Sequence, residues 1–359
     1  MDFSPVLNSK KITLGIILSV FSLFVTLKAN AVQEKNESST SVESKETEKF
    51  DPNEAILEHI ADSHYFHIGG KVAIGLPVIL YTDGGLEIFS ASEFEHGEKA
   101  HQGKYHNYAL VKDKIKVVGA DGKTIDETAK IFDLSITRNV FSMWMSVVLL
   151  ILIFVSVAGS YKKRVGKAPK GLQSLLEPLI LFIRDEVALP NIGYKYAKFM
   201  PLLLTMFFFI LINNLIGMVP FFPGGSNLTG NIAVTMVLAV ITLIVVNVNG
   251  NKYYWKHIFA PDVPFWLYPI MWIVELAGII SKPFALMVRL FANIMAGHVI
   301  VLALISLIFI FQTLWVSPVS IAFALFIDVL ELLVAFLQAF IFTMLTALFI
   351  GSAVEEHHH

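Results

Sequence analysis

The sequence predicts an all-α polytopic membrane protein of about five spans plus an interfacial helix, with a long C-terminal helix hairpin and a small β-rich domain in front. Three observations carry this. The 359 residues are 55% hydrophobic and only 16% charged, against roughly one-quarter charged in soluble domains. Several apolar runs reach the ~20 residues that cross a hydrocarbon core. The charges are also segregated, crowding into the first 135 residues and a few short loops. The net charge of −2 therefore says nothing about partners. With no cysteine, thiol catalysis, disulfides and cysteine-ligated zinc are excluded.

At the N-terminus Lys10 and Lys11 precede an apolar stretch, Ile12 to about Leu27, and then the small-x-small pattern Ala29-Asn30-Ala31. Residues 1–31 are read as a cleaved signal peptide. The competing reading, an uncleaved first membrane helix, has a short apolar core against it. Either way the following residues lie outside the cytoplasm. Residues 32–50, VQEKNESSTSVESKETEKF, are polar and without periodicity, a disordered linker.

Residues 51–135 are expected to form the extracytoplasmic β-rich domain. DPNEAILEHIADSHYF offers an N-cap Asp, a proline at the first helical position and apolar Ile56, Leu57 and Ile60, a short amphipathic helix. Strand-like runs follow: KVAIGLPVILYT, LEIFSASEF, YALVKDKIKVVG and TAKIFDLSI, with turn signals at Asp83-Gly84-Gly85 and Asp121-Gly122. Six of the eleven histidines lie here, His59, His64, His67, His96, His101 and His106. Their spacings match no ligand motif. They are read as solvated surface side chains, and no metal or other cofactor is expected. His357 to His359 are either native or a tag remnant.

The membrane part, 136–359, opens with NVFSMWMSVVLLILIFVSVAGSY from about Asn139. It ends in KKRVGKAPK, the densest positive loop of the chain, so this end is cytoplasmic by the positive-inside rule. LLEPLILFIRDEVALP mixes apolar positions with Glu177, Arg184, Asp185 and Glu186 and reads as a helix lying at the cytoplasmic interface. FMPLLLTMFFFILINNLIGMVPFF runs out and NIAVTMVLAVITLIVVNVNG runs back, joined by PGGSNLTG and ending at the basic NKYYWKH. The longest apolar stretch runs from about Ile270 to Leu314. At 1.5 Å per residue it is about 65 Å of helix, twice the hydrocarbon thickness. It must be strongly tilted, bent or partly interfacial, with Pro283 a candidate break. A turn at Trp315 to Pro318 leads into a last helix, about Ile321 to Ile350.

These two helices carry the ionisable groups. In an antiparallel hairpin, residues at one depth have numbers symmetric about the turn, which pairs His298 with Glu331 and Arg289 with Gln338. The separations, nine and seven residues, correspond to about 13.5 and 10.5 Å. Asn293 lies one turn from Arg289 on the same face, whereas His298 is rotated by about 180°. Glu275 returns to within about 40° of the Arg289 face, about 21 Å further in. Asn293 and Gln338 can equally be interhelical hydrogen-bond donors and acceptors, Asp328 can equally be solvated near the outer end of its helix, and solvation at the interface is the lesser alternative for Glu275. Arg289 is too far from either end to snorkel. An arginine at mid-bilayer costs at least ~2.5 kcal/mol.

SKPFALMVRLFANIMAGHVIV together with LLVAFLQAFIFTMLTALFIGSAVEEH resembles subunit a of rotary F-type ATP synthases, whose signature is an arginine in R-L-F-x-N followed by a Q-A-F-I-F helix. The likeness extends from about Asp133 to the C-terminus and includes IRDEVALPNIG and NNLIGMVPFF. It implies a bacterial inner-membrane subunit, non-catalytic by itself, that works with a rotating ring of c subunits, a subunit b stalk, the lipid bilayer and protons, and with no nucleic acid. On this resemblance Arg289 faces the ring carboxylates. His298 and Glu331 form the family's outer half-channel pair in exchanged positions, Glu275 serves the cytoplasmic half-channel, and Asn293, Gln338, Asn214 and Asp328 are further candidates for the path. The domain at 51–135 departs from the many members with only a short N-terminal segment.

Two other classes compete. A stand-alone ion-coupled secondary transporter also buries ionisable groups, but often shows internal repeats, and none relates 201–249 to 270–350. An intramembrane protease needs a nucleophile and base or a metal motif, and neither HExxH nor GxSxG occurs.

Overall fold

The computed structural model describes residues 61–355, apart from 70–71, 98, 112, 120–123, 127–128, 130, 220–223, 261–262 and 312–314. The expected signal peptide, linker, first part of the amphipathic helix and Asp121-Gly122 turn, and the terminal histidines, lie outside the described residues.

Strand β1 (Tyr65–Gly69) pairs antiparallel with β2 (Val72–Gly75). Strand β3 (Pro77–Thr82) forms a hairpin with β4 (Gly85–Ser90) through Asp83-Gly84 and also pairs with the short β8 (Phe132–Asp133). A third sheet joins β5 (His101–Gln102), β6 (Asn107–Val111) and β7 (Lys114–Val118). Alternation along β3 buries Val78, Leu80 and Thr82 while Pro77 and Tyr81 stay exposed, the period-two pattern of a half-buried strand. Val78, Leu80, Phe94, Tyr108 and Val117 form the small core.

Several expectations change here. Tyr65 and Phe66 belong to a strand, not to the end of a helix. LEIFSASEF is strand only to Ser90; Ala91–Gly97 coil into a 3₁₀ turn, whose i, i+3 eclipsing puts Ala91 and Phe94 together in the core. YALVKDKIKVVG is a hairpin whose turn holds Asp113 at φ 59°, a conformation that Asp tolerates better than most residues. In TAKIFDLSI, Phe132 and Asp133 are the paired residues among those described. His64 is 3% exposed and is therefore not a solvated surface group, and His101 stacks on Phe89 at 4.2 Å between ring centroids.

Glu87 is buried in β4, where its carboxylate accepts from Lys104 N at 2.8 Å, Tyr105 N at 3.0 Å and the Tyr108 hydroxyl at 2.8 Å. A side chain at Gly103 would collide with it. Burial pushes this carboxyl upward, but the three donors outweigh it and hold the group below the usual carboxylate range.

The β part is fastened to the first membrane helix, α1 (Arg138–Lys163). Thr137 caps the helix by accepting from Val140 N, and Asp62 Oδ1 accepts from Asn139 N at 3.0 Å. The Arg138 guanidinium donates to Ala61 O at 2.8 Å, and Phe66 meets Phe141 edge-on at 5.3 Å.

The membrane part continues with α2 (Leu172–Phe182), a π-helical turn at Ile183–Ala188, the one-turn α3 (Leu189–Ile192), α4 (Tyr196–Met218), α5 (Ile232–Val248), α6 (Lys252–Phe259), α7 (Tyr268–Phe311) and α8 (Val316–Val354). Helix α2 is amphipathic, with Gln173, Leu176 and Ile180 buried and Leu172 and Leu175 exposed. Helix α4 lies inside, packed against α1 and α8, while α7 packs on α5 and α8. Four helical stretches among the described residues are long and apolar enough to cross a membrane, and a fifth if α5 and α6, bent by 101°, count as one span. The chain is a multi-pass membrane protein.

Pro283 does not break α7, which runs unbroken for 44 residues, about 66 Å. The proline only removes the bond to the Ile279 carbonyl. Pro318 likewise sits in the first turn of α8, where its missing N–H costs nothing, so the helix starts at Val316 and not beyond the proline. At the far end of α8 the last carbonyls are met from other elements. Asn251 Nδ2 donates to Val354 O at 3.2 Å and Glu355 O at 2.8 Å, and Lys195 Nζ to Val354 O at 3.3 Å.

Candidate functional site

The α7–α8 hairpin brings His298 Nε2 to 3.4 Å from Glu331 Oε1. Equal rise on two antiparallel helices places them at one depth, as the midpoint count requires. Glu331 is 6% exposed, and the space for it comes from its neighbour's lack of a side chain. A Cβ at Gly297 would stand 3.1 Å from Glu331 Cδ and 3.2 Å from Oε1. Gly217 on α4 plays a similar part, since a Cβ there would lie 3.1 Å from Ser226 O and 3.9 Å from His298 Nε2.

Polar groups of α4 and the α4–α5 connection complete the surroundings. Asn214 is buried, donates to Ala335 O at 3.1 Å and accepts from Thr229 Oγ1 at 2.6 Å. It ties α4 to α8 beside Glu331. Ser226 is fully buried, and its Oγ has no hydrogen-bond partner among the described residues. Asp328, half-buried, lies one turn before Glu331 on the same face of α8.

Arg289 faces elsewhere. It is exposed, as is Asn293 one turn on, and its flank carries exposed Phe284 and Val288. Gln338 is buried, 4% exposed, and among the described residues no hydrogen bond or ion pair joins it to Arg289. Helical phase turns the arginine out and the histidine in. Glu275 is not merely solvated: its Oε1 lies 3.5 Å from Nδ1 of His257 on α6, across an open cleft of about 370 Å³ lined also by Tyr254, Lys256, Lys282 and Glu355.

Gly297, Gly217, Ser226, Thr229 and His257 are not among the residues that the sequence pattern singles out. Gly297 had a legible signal, a small residue directly before the one histidine of the long helix. His257 had none, because its partner is reached only through the bend between α5 and α6. Among the described residues no group of three or more His, Asp or Glu could hold a metal ion.

Ionisable pairs held between the long apolar helices of a multi-pass chain define a class, membrane proteins that handle ions within the bilayer. The comparisons narrow it. The family model "ATP synthase A chain" matches residues 140–351, and "Domain of unknown function (DUF8433)" matches residues 55–134. The chain belongs to the ATP synthase A chain family. It is 50% identical over 233 residues to ATP synthase subunit a of Chloroherpeton thalassium, covering 64% of this chain and 69% of the relative. It is 47% identical over 229 residues to ATP synthase subunit a 2 of Chlorobaculum tepidum, covering 62% and 64%. With ATP synthase subunit a of Myxococcus xanthus the identity is 44% over 234 residues, covering 63% and 75%.

Proposed function

We propose that this chain is the proton-conducting stator subunit of an F-type ATP synthase, lying against a ring of c subunits and joined to a subunit b stalk in a bacterial inner membrane. Residues 1–31 are its cleaved signal peptide, 32–50 a linker and 51–135 an extracytoplasmic domain; the KKRVGKAPK loop and the C-terminus face the cytoplasm. By itself the subunit catalyses no reaction.

Protons enter from outside through the pocket of His298, Glu331 and Asn214, near Asp328, and neutralise a ring carboxylate, which then turns into lipid. A returning carboxyl loses its proton towards Glu275 and the cytoplasm. Arg289, with Asn293 beside it and Gln338 at its depth on α8, stabilises the ionised carboxylate and bars direct passage between the two paths. Each charge moved contributes about 2.3 kcal/mol per 100 mV.

The observation that carries this reading is an exposed Arg289 on an apolar face of α7. In lipid alone that placement is costly, and a carboxylate presented by a neighbouring subunit removes the cost. Arg289→Ala is the test. ATP-driven pumping should be lost and passive leak persist or rise, while the detached soluble head keeps hydrolysing ATP. Arg289→Lys should fail too, since a desolvated lysine can release its proton. Normal pumping by assembled Arg289→Ala complexes would overturn the reading.

A further inference from the structure

The geometry points to His257 as a proton-transfer residue at the cytoplasmic mouth: it takes the proton that Glu275 receives and passes it to bulk water. This rests on the proposed function and deepens it.

Helix α6 leaves α5 at 101°, which lays His257 against α7 with Nδ1 3.5 Å from Glu275 Oε1. The histidine side chain is 68% exposed and the glutamate 24%, so one partner faces water and the other the protein. Both line the open cleft of about 370 Å³, with Lys256, Lys282, Glu355, Tyr253 and Tyr254 as the other titratable groups around it. A second cavity, about 20 Å³, shares Tyr254, Ile279, Lys282 and Ser352 with the cleft and reaches Thr242, Pro283 and Phe349. One water needs about 10–15 Å³ of such space. The Ile279 carbonyl, released from its helix bond by Pro283, belongs to a residue lining both spaces. Pro283 lies six residues, about 9 Å along α7, from Arg289. The two spaces thus extend from the cleft along α7 as far as Pro283, with Thr242, Tyr254, Lys282 and Ser352 as polar residues on the way.

A neutral imidazole carries a lone pair on one nitrogen and an N–H on the other, so it can accept a proton on the side of Glu275 and release one on the side of water. The carboxylic O–H of Glu275 gives its proton to the Nδ1 lone pair of neutral His257, leaving a carboxylate and an imidazolium. The imidazolium then releases a proton from Nε2 to water, forming hydronium, and leaves a neutral imidazole with its proton on Nδ1; water-mediated exchange of that proton back to Nε2 frees the Nδ1 lone pair for the next transfer. The gap of 3.5 Å closes by about 0.5 Å of side-chain motion or through one water.

The test uses assembled complexes in inverted membrane vesicles, whose cytoplasmic face is open to added solutes. His257→Ala should slow passive flux through the head-stripped membrane sector roughly tenfold, below the usual general acid–base contribution because water also enters the cleft. The pH dependence of flux from that side should flatten, and added imidazole should restore the rate in the variant but not raise it in wild type. A merely structural role would not respond to imidazole. If His257→Ala fails to assemble, His257→Gln keeps a polar contact to Glu275 and should show the same loss. Unchanged flux and pH profile, or slow flux that imidazole does not restore, would sink the inference. If Arg289→Ala uncouples the complex while His257→Ala conducts normally, only this inference falls. If Arg289→Ala pumps normally, the proposed function falls first.

Discussion

Two histidine–glutamate pairs stand at nearly the same separation, 3.4 Å for His298–Glu331 and 3.5 Å for His257–Glu275, in opposite surroundings. In the first, the glutamate side chain is 6% exposed and the histidine 21%, and a glycine on α7 shapes the space. In the second, the histidine is 68% exposed in a wide cleft. Coulomb interactions strengthen as the local dielectric falls, so the enclosed pair acts as one coupled unit. The open pair exchanges with water, and its members can be replaced in part by solvent. On the proposed path the same two side chains would therefore make a selective entry in one place and a permissive exit in the other.

The largest contrast to expect is which side of the membrane each pair serves. A membrane-impermeant thiol label applied to intact cells should reach Ser92→Cys and miss Gly166→Cys, both exposed positions. The opposite labelling would exchange entry and exit. Next in size is the enclosed pair itself. Glu331→Leu or His298→Leu should cut proton flux by about a hundredfold, the low end of general acid–base contributions. The double variant should lose less than the two effects added. Exchanging the two, His298→Glu with Glu331→His, should retain more flux than either single change. Strict additivity, read from passive flux, would show two independent groups. Smaller still is Gly297→Ala. A Cβ at 3.1–3.4 Å from Glu331 demands only a few tenths of an ångström of movement, so flux should fall a few-fold at most, while Gly297→Val should fall further. Among the described residues no glycine packs against Glu275 or His257, so crowding that pair should matter less.

Much of the hairpin was legible because helix rise is constant: the midpoint of 298 and 331 lies near the turn, and that suffices to set depth. Phase was legible for the same reason, with Arg289 out and His298 in. What sequence could not supply was anything depending on a bend. His257 and Glu275 meet only because α6 turns sharply from α5 after Asn249, and NVNGN in the sequence marks a polar turn without giving its angle. Proline misled in the other direction. Pro283 and Pro318 both lie within helices, one because neighbouring elements hold a long apolar helix together despite a lost bond, the other because a first turn has no bond to lose. In the β part the turn at Asp113 is not marked in the sequence because no glycine stands there.

The smallest effect concerns a carboxylate outside both pairs and tests whether the enclosed surroundings of Glu331 are special to the membrane. Glu87 is also buried, 7% exposed, but three donors satisfy it, whereas Glu331 Oε1 has no hydrogen-bond partner among the described residues. Glu87→Gln replaces one oxygen by an NH₂ that faces either Lys104 N–H or both Tyr105 N–H and the Tyr108 hydroxyl, so in either orientation a backbone donor loses its acceptor. The expected cost is about 1–3 kcal/mol of stability in the β domain, with proton flux unchanged. The pH dependence has a definite sign. Because the folded carboxyl is held below its ordinary value of 4.5, its contribution is complete above that value and is lost as pH falls through the lower folded value. Denaturation of residues 61–135 in the full-length chain, followed by limited proteolysis, should separate wild type from Glu87→Gln at neutral pH and bring the two together in acid. A gap that stayed constant down to low pH would mean that the carboxylate charge contributes nothing, and that Glu87 differs from Glu331 only in where it lies.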